Sequence, residues 1–359
     1  VHNRLIDVKF IVAEFATIMG GKLCHEEGIV SRVCSVSMSE YSDLFTGLGK
    51  FKQSHTLHLR DDAVPVVHAP RRVPEALLGR LETELKRMEE LGVIVKVTEP
   101  TDWVSSLVLI EKHDKSLRVC LDPKDLNKAI KRTHYPLPTV DDLLNKLSGA
   151  KFFSKLDASS GYWQIPVDEE SSQLLTFNSP FGRYRFTRVP FGIHSASELF
   201  QRTIEDMIRG IEGAANLQDD IIVWAETQEE HDKRLKQVLD VIKEAGMKLN
   251  PQKCQFSQTE VIFLGHKVTA DGIKPDPSKT SAIDNIPEPK TKLELQRFLG
   301  MINFIGKFIP NLAKIAGPLR ELLHKGREFH MSDVHSESFL ALKRMATTAP
   351  VLKNFSQGK

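Results

Sequence analysis

From residue 74 onward, apolar positions fall into short runs whose spacing switches between helix and strand periods. Leu77, Leu81, Leu85 and Met88 recur on one helical face, with Pro74 suited to the first turn and Gly92 to the end. Residues 93–97, 107–110 and 117–121 are apolar strand runs, and the polar stretch 113–116 joins the last two as a hairpin. Tyr135-Pro136-Leu137-Pro138 stops any helix, after which Thr139 is placed to cap a short helix through Leu147. Residues 152–156 form a strand that delivers Asp157 at its C-terminal end. Residues 173–178 and 183–189 flank a turn at 179–182, and 195–208 has helical character. Ile221-Ile222-Val223-Trp224 reads as a buried strand entered through Leu217-Gln218-Asp219-Asp220. Thr227 and Glu230 predict a capping box for a helix carrying Leu235, Leu239 and Ile242 and closed by Gly246. Residues 261–268 read as one strand, followed by a turn at Asp271-Gly272. Beyond residue 280 the pattern becomes helical. Thr291 and Glu294 form a second capping box before Leu295, Phe298, Leu299 and Ile302, and Pro310, Pro318 and Pro350 separate shorter segments.

The order through the middle is strand, hairpin, helix, strand, helix, strand. It predicts an α+β fold with an antiparallel sheet backed by helices. Neighbouring strands of such a sheet bring Asp157, Asp219 and Asp220 to one edge. Residues 1–36 mix short apolar runs, 35–39 resembles a linker, and 40–70 reads as an extended connector.

A length of 359 residues implies two or three compact units, and 41% apolar residues is a globular content. No run of about 18 apolar residues occurs, so no membrane partner is expected. The chain starts at Val1 without a secretory signal and is expected to be a piece of something longer. Cys24, Cys34, Cys120 and Cys254 show no zinc spacing, which fits a reduced intracellular setting. Net charge is only +2, so any nucleic-acid signal must be local. Between Lys112 and Arg132, seven Lys/Arg face three Asp. Such a stretch attracts phosphates, or is simply a solvated basic face.

The chemistry turns on the adjacent carboxylates. Successive strand residues point to opposite faces, but a pair at a turn entering a strand offers both carboxyls to one cleft. Nearby like charges favour protonation of one partner unless a cation sits between them. One reading is therefore a site for Mg²⁺, a cation that takes hard oxygen ligands; the other is a hairpin turn with two solvated aspartates. With Asp157 added, three carboxylates suit two Mg²⁺ ions about 4 Å apart, as used in phosphoryl transfer by polymerases and nucleases. Tyr162, close behind Asp157, either stacks beneath a sugar or is an ordinary core tyrosine.

Phe153 to Ile165, Val189-Pro190-Phe191-Gly192 and Phe200-Gln201 resemble the motifs of reverse transcriptases from LTR retrotransposons of the Ty3/Gypsy type. Leu121 to Lys128, Tyr135 to Pro138, Phe263-Leu264-Gly265-His266 and Phe298-Leu299-Gly300 resemble that family's flanking signatures. The resemblance covers roughly residues 40–359. It implies a right-handed polymerase: 71–152 mainly fingers, 153–275 palm with part of the fingers, and 276–359 thumb leading toward an absent RNase H domain. Residues 37–70 remain a connector.

In that family Asp157, Asp219 and Asp220 would be catalytic and bind two Mg²⁺ ions, with Mn²⁺ as an alternative. Lys112, Arg118, Ala158, Tyr162, Phe191 and Gly192 would meet the incoming dNTP, with Tyr162 excluding a ribose 2′-hydroxyl. Leu217, Gln218 and Phe263, Leu264, Gly265 and His266 would meet primer and template. The implied partners are an RNA or DNA template with its primer, and polyprotein neighbours: protease, RNase H and integrase. The implied location is intracellular, in cytoplasm or virus-like particles.

Ala16 to Gly20, Cys24 and Gly28-Ile29-Val30 resemble the tail of a retropepsin-like protease over residues 1–36, without its catalytic Asp motif. Ala349 to Lys353 resembles the approach to RNase H. Two positions depart from the family, which usually has Tyr where Leu217 stands and Pro where Ser197 stands. These departures keep a non-polymerising nucleic-acid-binding relic among the readings. A nuclease using the same aspartates, and a polyprotein portion whose activity is RNase H or endonuclease, are the others.

Overall fold

The structure, a computed structural model, describes residues 11–13, 16–18, 36–112, 115–132, 134–348 and 351–352. Most of the protease-like tail, Met19, Gly20, Cys24 and 28–30 included, lies outside the described residues. So do His113 and Asp114 of the expected turn, and Ala349, Pro350 and Lys353. The backbone of Ile11–Ala13 (β1) pairs antiparallel with Ala16–Ile18 (β2).

The chain divides into two compact units. The first comprises 1–137, 156–223 and 228–257, and the second 138–155, 224–227 and 258–359. In the first, Met38–Phe45 forms 3-10 turns with Tyr41 and Leu44 buried. Helical structure therefore begins inside the stretch that reads as a linker, because those two apolar side chains find a core. Tyr41 donates its hydroxyl to Asp240 at 2.5 Å. The segment after it is extended but not loose. The N–H groups of Phe51 and His55 bond to the carbonyls of Gln164 and Pro166, and those of Arg60 and His68 to Ala129 and Val104.

The Glu75–Glu90 helix buries Leu81, Leu85 and Met88, the apolar face visible in the sequence. Each such side chain contributes about 1.5–3 kcal/mol on burial. Ile94–Lys96 (β3) follows, then Ser106–Glu111 (β4) and Leu117–Asp122 (β5), which pair antiparallel as the expected hairpin. Phe152–Asp157 (β6) comes next. The Glu169–Leu174 helix, capped by Asp168, absorbs Gln173 and Leu174, the first residues of the stretch 173–178. Its partners in the capping turn are local polar groups that carry no periodic signal. Thr176–Ser179 (β7) and Gly182–Phe186 (β8) then pair, and β3 completes the three-stranded order β3-β8-β7.

The Ala196–Ile208 helix packs on Ala214–Leu217 (β9), which turns tightly into Asp220–Ala225 (β10). After the Gln228–Ala245 helix, Gln255–Gln258 (β11) completes a sheet with strand order β11-β6-β10-β9. Neighbouring β6 and β10 are thus the two strands that carry the aspartates. The core between sheet and helices includes Leu156, Phe200, Ile204, Ile221, Val223, Leu235 and Leu239.

In the second unit, residues 261–268 are two strands rather than one. Glu260–Phe263 (β12) and His266–Thr269 (β13) form a hairpin, and Gly272–Pro275 (β14) adds a third strand. The reason is local: Leu264 and Gly265 adopt φ +49° and +76°, the double left-handed conformation that reverses a chain in two residues. Thr139 caps Val140–Lys146 in a full capping box with Asp142. Thr291 caps Lys292–Phe304, but the Glu294 carboxylate accepts from the Lys290 N–H rather than completing a box. Pro318 does not separate segments; it lies inside Leu312–Glu321. Gly317 before it lacks the Cβ that would clash with the proline ring in a helix.

Gly265 has a second constraint, since a Cβ there would lie 2.7 Å from the Phe304 ring. Gly265→Ala is expected to destabilise the second unit by about 1–3 kcal/mol, read as a lowered urea midpoint. An unchanged midpoint would show that the turn and ring yield freely.

Candidate active site

β6 ends on Asp157 and its neighbour β10 begins on Asp220. Leu217 pairs with Asp220, leaving Gln218 and Asp219 as a two-residue loop. Such loops favour positive φ, because only then does the turn match the strand twist. Gln218 complies at φ +51°, a conformation that costs a residue with a side chain about 1–3 kcal/mol.

A buried amide offsets that cost. Gln201, on the Ala196–Ile208 helix, is 1% exposed. Its Oε1 accepts the Gln218 N–H at 2.7 Å, and its Nε2 donates to the Asn216 carbonyl at 3.1 Å. From the other flank the Ala158 N–H donates to the Asp219 carbonyl at 3.1 Å. The loop is held by the helix on one side and, on the other, by the residue that follows Asp157.

Asp219 is exposed at the loop, yet protein atoms crowd its carboxyl. That desolvation is the largest influence on its proton, followed by the charges of Asp157 and Asp220. Lys253 and Arg118 oppose them, and the pKa is pushed up to about 6. Asp157 is buried, with the Lys253 ammonium 3.4 Å from its Oδ2. Its backbone is fixed too: its N–H points at Cys254 Sγ at 3.4 Å and its carbonyl accepts the Asn250 N–H at 2.8 Å.

Among the described residues, no three His, Cys, Asp or Glu side chains are close enough to hold a metal ion as they stand. The chemistry of Asp157, Asp219 and Asp220 still fits a hard divalent cation, because each supplies carboxylate oxygen. Burial and then the charges of Asp157 and Asp220 raise the proton affinity of Asp219, and a bound cation would oppose the second of these.

An aromatic surface adjoins the carboxylates. Tyr162 lies 5.1 Å, centroid to centroid, from Phe191 and edge-on to Phe200 at 5.7 Å. The Arg118 guanidinium sits 4.8 Å above the Phe191 ring. Burial, then the Asp219 charge, raises the Tyr162 phenol pKa. Gly161 makes this corner possible, since a Cβ there would meet the Phe200 ring at 2.7 Å and Asp219 Oδ1 at 2.9 Å. Gly192, at φ +112°, lies so close to β5 that a Cβ would strike the Leu121 carbonyl. The Leu121 N–H donates to the Phe191 carbonyl at 2.9 Å, and Asn127 Nδ2 to that of Gly192 at 2.9 Å. Arg118 stands on the same strand.

The structure therefore brings together Asp157, Ala158, Tyr162, Phe191, Gly192, Arg118, Asp219 and Asp220, with Leu217 and Gln218 in the loop. Lys112 lies exposed just beyond β4, its N–H on the Ser116 carbonyl at 2.9 Å, and among the described residues it does not join the Arg118–Phe191–Tyr162 cluster. Phe263, Leu264, Gly265 and His266 belong to the second unit. There His266 Nδ1 is 2.9 Å from the Leu264 carbonyl, and its ring stacks 5.8 Å from Phe304.

Much of the basic run is already engaged. Lys124, Lys128, Lys131 and Arg132 pair with Asp122, Asp125, Asp61 and Glu198. Ser197 lies in the first turn of its helix, where an N–H has no intrahelical acceptor. Proline and serine are both tolerated there. Pattern reading missed Gln201, Gly161 and Lys253 as parts of this site. Gln201 entered only as one letter of a motif, and Lys253 lies 96 positions from its partner.

Residues 110–268 match the family described as reverse transcriptase (RNA-dependent DNA polymerase). That stretch belongs to the reverse transcriptase family. A retrovirus-related Pol polyprotein from transposon 412 of Drosophila melanogaster is 33% identical over 332 residues, 88% of this chain. The chain spans only 26% of that relative. A foamy viral protease–reverse transcriptase solved with double-stranded DNA superposes at TM-score 0.82 and 24% identity, over 88% of this chain and 57% of that one. The same type of protein solved with an RNA/DNA hybrid gives TM-score 0.80 at 25% identity, over 88% and 44%. The reverse transcriptase fold, α+β with antiparallel sheets and helices, is thereby shared.

The raised Asp219 pKa has a sign that can be checked. The folded chain holds this proton more tightly than the unfolded one, whose Asp titrates near about 4. Stability from this group is present below about pH 4 and is lost as pH rises through about 6. In metal-free buffer, Asp219→Asn is expected to unfold at higher urea than the parent near neutral pH, with the difference vanishing at acid pH. A difference of equal size at both pH values would contradict the electrostatic cause.

Proposed function

We propose that the chain is an RNA- and DNA-templated DNA polymerase, extending a primer 3′-hydroxyl with dNTPs. One observation carries this reading. Asp219, whose proton affinity is raised by burial and by two neighbouring carboxylates, shares a corner with Tyr162, Phe191 and Arg118, so an edge of carboxylates adjoins an aromatic and guanidinium surface. A nucleotide needs both: cation-neutralised phosphates and a place for sugar and base.

In this reading Asp157, Asp219 and Asp220 hold two Mg²⁺ ions, or Mn²⁺ in their place. The chemistry supplied by bound Mg²⁺ is charge neutralisation at the phosphates and activation of the attacking hydroxyl. Arg118, with Lys112, attracts the triphosphate and orients it by its planar donor fork. Tyr162, braced by Phe200, fills the space a ribose 2′-hydroxyl would need. Phe191 and Gly192 line the nucleotide and template side of the pocket, and Ala158 contributes its carbonyl to nucleotide binding. Leu217 and Gln218 lie under the primer end, and Phe263, Leu264, Gly265 and His266 grip the primer backbone. Residues 71–152 act as fingers, 153–275 as palm and 276–359 as thumb, reading duplex shape and phosphate rather than sequence. The related foamy viral proteins solved with double-stranded DNA and with an RNA/DNA hybrid support such partners. Protease, RNase H and integrase would be its neighbours in a Pol polyprotein acting inside the cell. No helix among the described residues is long and apolar enough to cross a membrane.

Primer extension on RNA and DNA templates with Mg²⁺ tests this. Asp219→Asn is expected to lower the rate about a hundredfold or more, the loss of a ligand worth several kcal/mol. Undiminished extension would sink the assignment. Leu217→Tyr, which restores a flat ring beneath the primer end, is expected to raise extension. Hybrid binding with no extension by either the parent or Leu217→Tyr would make the chain a binding relic instead.

A further inference from the structure

The hairpin that carries Asp219 has an unusual support. Gln201 and the loop are 17 positions apart at Gln218 and 15 at Asn216, and one side chain reaches both. The two contacts bracket Leu217. They also need opposite chemistry, an acceptor for the Gln218 N–H and a donor for the Asn216 carbonyl, and only an amide offers both at this length. The bracket acts where the backbone is least content, at Gln218 with φ +51°. Releasing the Gln218 N–H would leave nothing on the helix side to hold that residue in its left-handed turn. Among the described residues the Ala158 bond to the Asp219 carbonyl would remain, and that bond does not fix the loop's helix side. The preceding residue on the same helix turn, Phe200, packs against Tyr162 and under Gly161. Two successive residues of one helix therefore brace the two halves of the site, aromatic and carboxylate.

We propose that Gln201 is a positioning residue that sets Asp219 for divalent-cation binding by clamping the Asn216 carbonyl and the Gln218 N–H together. It touches neither substrate nor metal. The proposal rests on the metal-site reading above. It assigns the cation affinity of the unliganded chain to this clamp, whereas the dNTP-facing surface is built by Phe200, Tyr162 and Phe191.

The test is Mn²⁺ binding to the purified full chain without nucleic acid, followed by isothermal titration, alongside the dNTP KM in primer extension. Gln201→Met keeps the volume and removes both bonds. It is expected to weaken Mn²⁺ binding about tenfold or more, the usual effect of removing a group that orients a metal ligand. The dNTP KM should change less than twofold. Gln201→Asn keeps the amide but is one methylene too short to span both partners, so it should fall between Met and the parent. It also serves if the Met variant does not fold. Leu239→Ala, a core truncation in the Gln228–Ala245 helix, gives the effect of lost stability alone and should leave Mn²⁺ affinity unchanged. Parent-like Mn²⁺ affinity in a folded Gln201→Met or Gln201→Asn overturns the proposal. So does an equal loss in Leu239→Ala, which would make the effect one of general stability. Asp219→Asn separates the two levels: if it binds Mn²⁺ as the parent does, the metal-site reading fails and this proposal fails with it. If only the Gln201 variants behave like the parent, the site stands and the clamp does not.

Discussion

The site depends on keeping like charges together. Burial around Asp219 removes the water that would screen its carboxylate, and the charges of Asp157, at the end of β6, and Asp220, at the turn into β10, add to that. Left alone, such groups move apart or take up protons. The chain prevents the first by fixing backbone rather than side chains. The Asp157 carbonyl and N–H are both engaged, the Asp219 carbonyl is held by Ala158, and the Gln218 N–H is held by Gln201. It answers the second in part with two cationic groups, Lys253 and Arg118. Rigid backbone with strained carboxyls is what a cation site needs before the cation arrives.

The same economy of space explains the aromatic half. Gly161 has no side chain because Phe200 and the Asp219 carboxylate both occupy the place where one would be. Gly192 is bare because the Leu121 carbonyl presses against it. Each glycine lets two elements approach to near contact. The result is that Arg118 on β5, Phe191 after β8 and Tyr162 after β6 meet in one cluster. Ser197 carries less weight than its departure from the family pattern suggests, since the first helical turn asks little of its backbone N–H. Leu217 keeps its full weight, because it sits between the two residues that Gln201 holds.

Much of this fold was legible from spacing. The Glu75–Glu90 helix follows from apolar periodicity, the β4–β5 hairpin from two apolar runs around a polar turn, and the Ala196–Ile208 helix from the helical character of 195–208. The failures share a cause. Residues 261–268 are apolar throughout and read as one strand, yet Leu264 turns left-handed and makes a hairpin. Periodicity reports which face is buried, not whether φ changes sign within the run. Pro318 reads as a breaker and sits inside a helix, where Gly317 spares it one of the usual clashes, that with the Cβ of the preceding residue. The Met38–Phe45 turns escape pattern reading because the segment is short and its apolar residues, Met38, Tyr41, Leu44 and Phe45, are anchored by distant parts of the chain.

For the site, the sequence by itself determined where the carboxylates fall. Adjacent Asp219 and Asp220 precede an apolar strand, and Asp157 closes another, so three carboxylates stand at strand ends. Residue type and local pattern suffice for that. Only the tertiary structure decided how burial and neighbouring charge act on Asp219, which cations temper them, and which neutral side chain holds the loop. Those answers depend on contacts such as Gln201 with Gln218 and Lys253 with Asp157. They join residues whose separation along the chain follows no helix or strand period, so nothing in the local sequence could announce them.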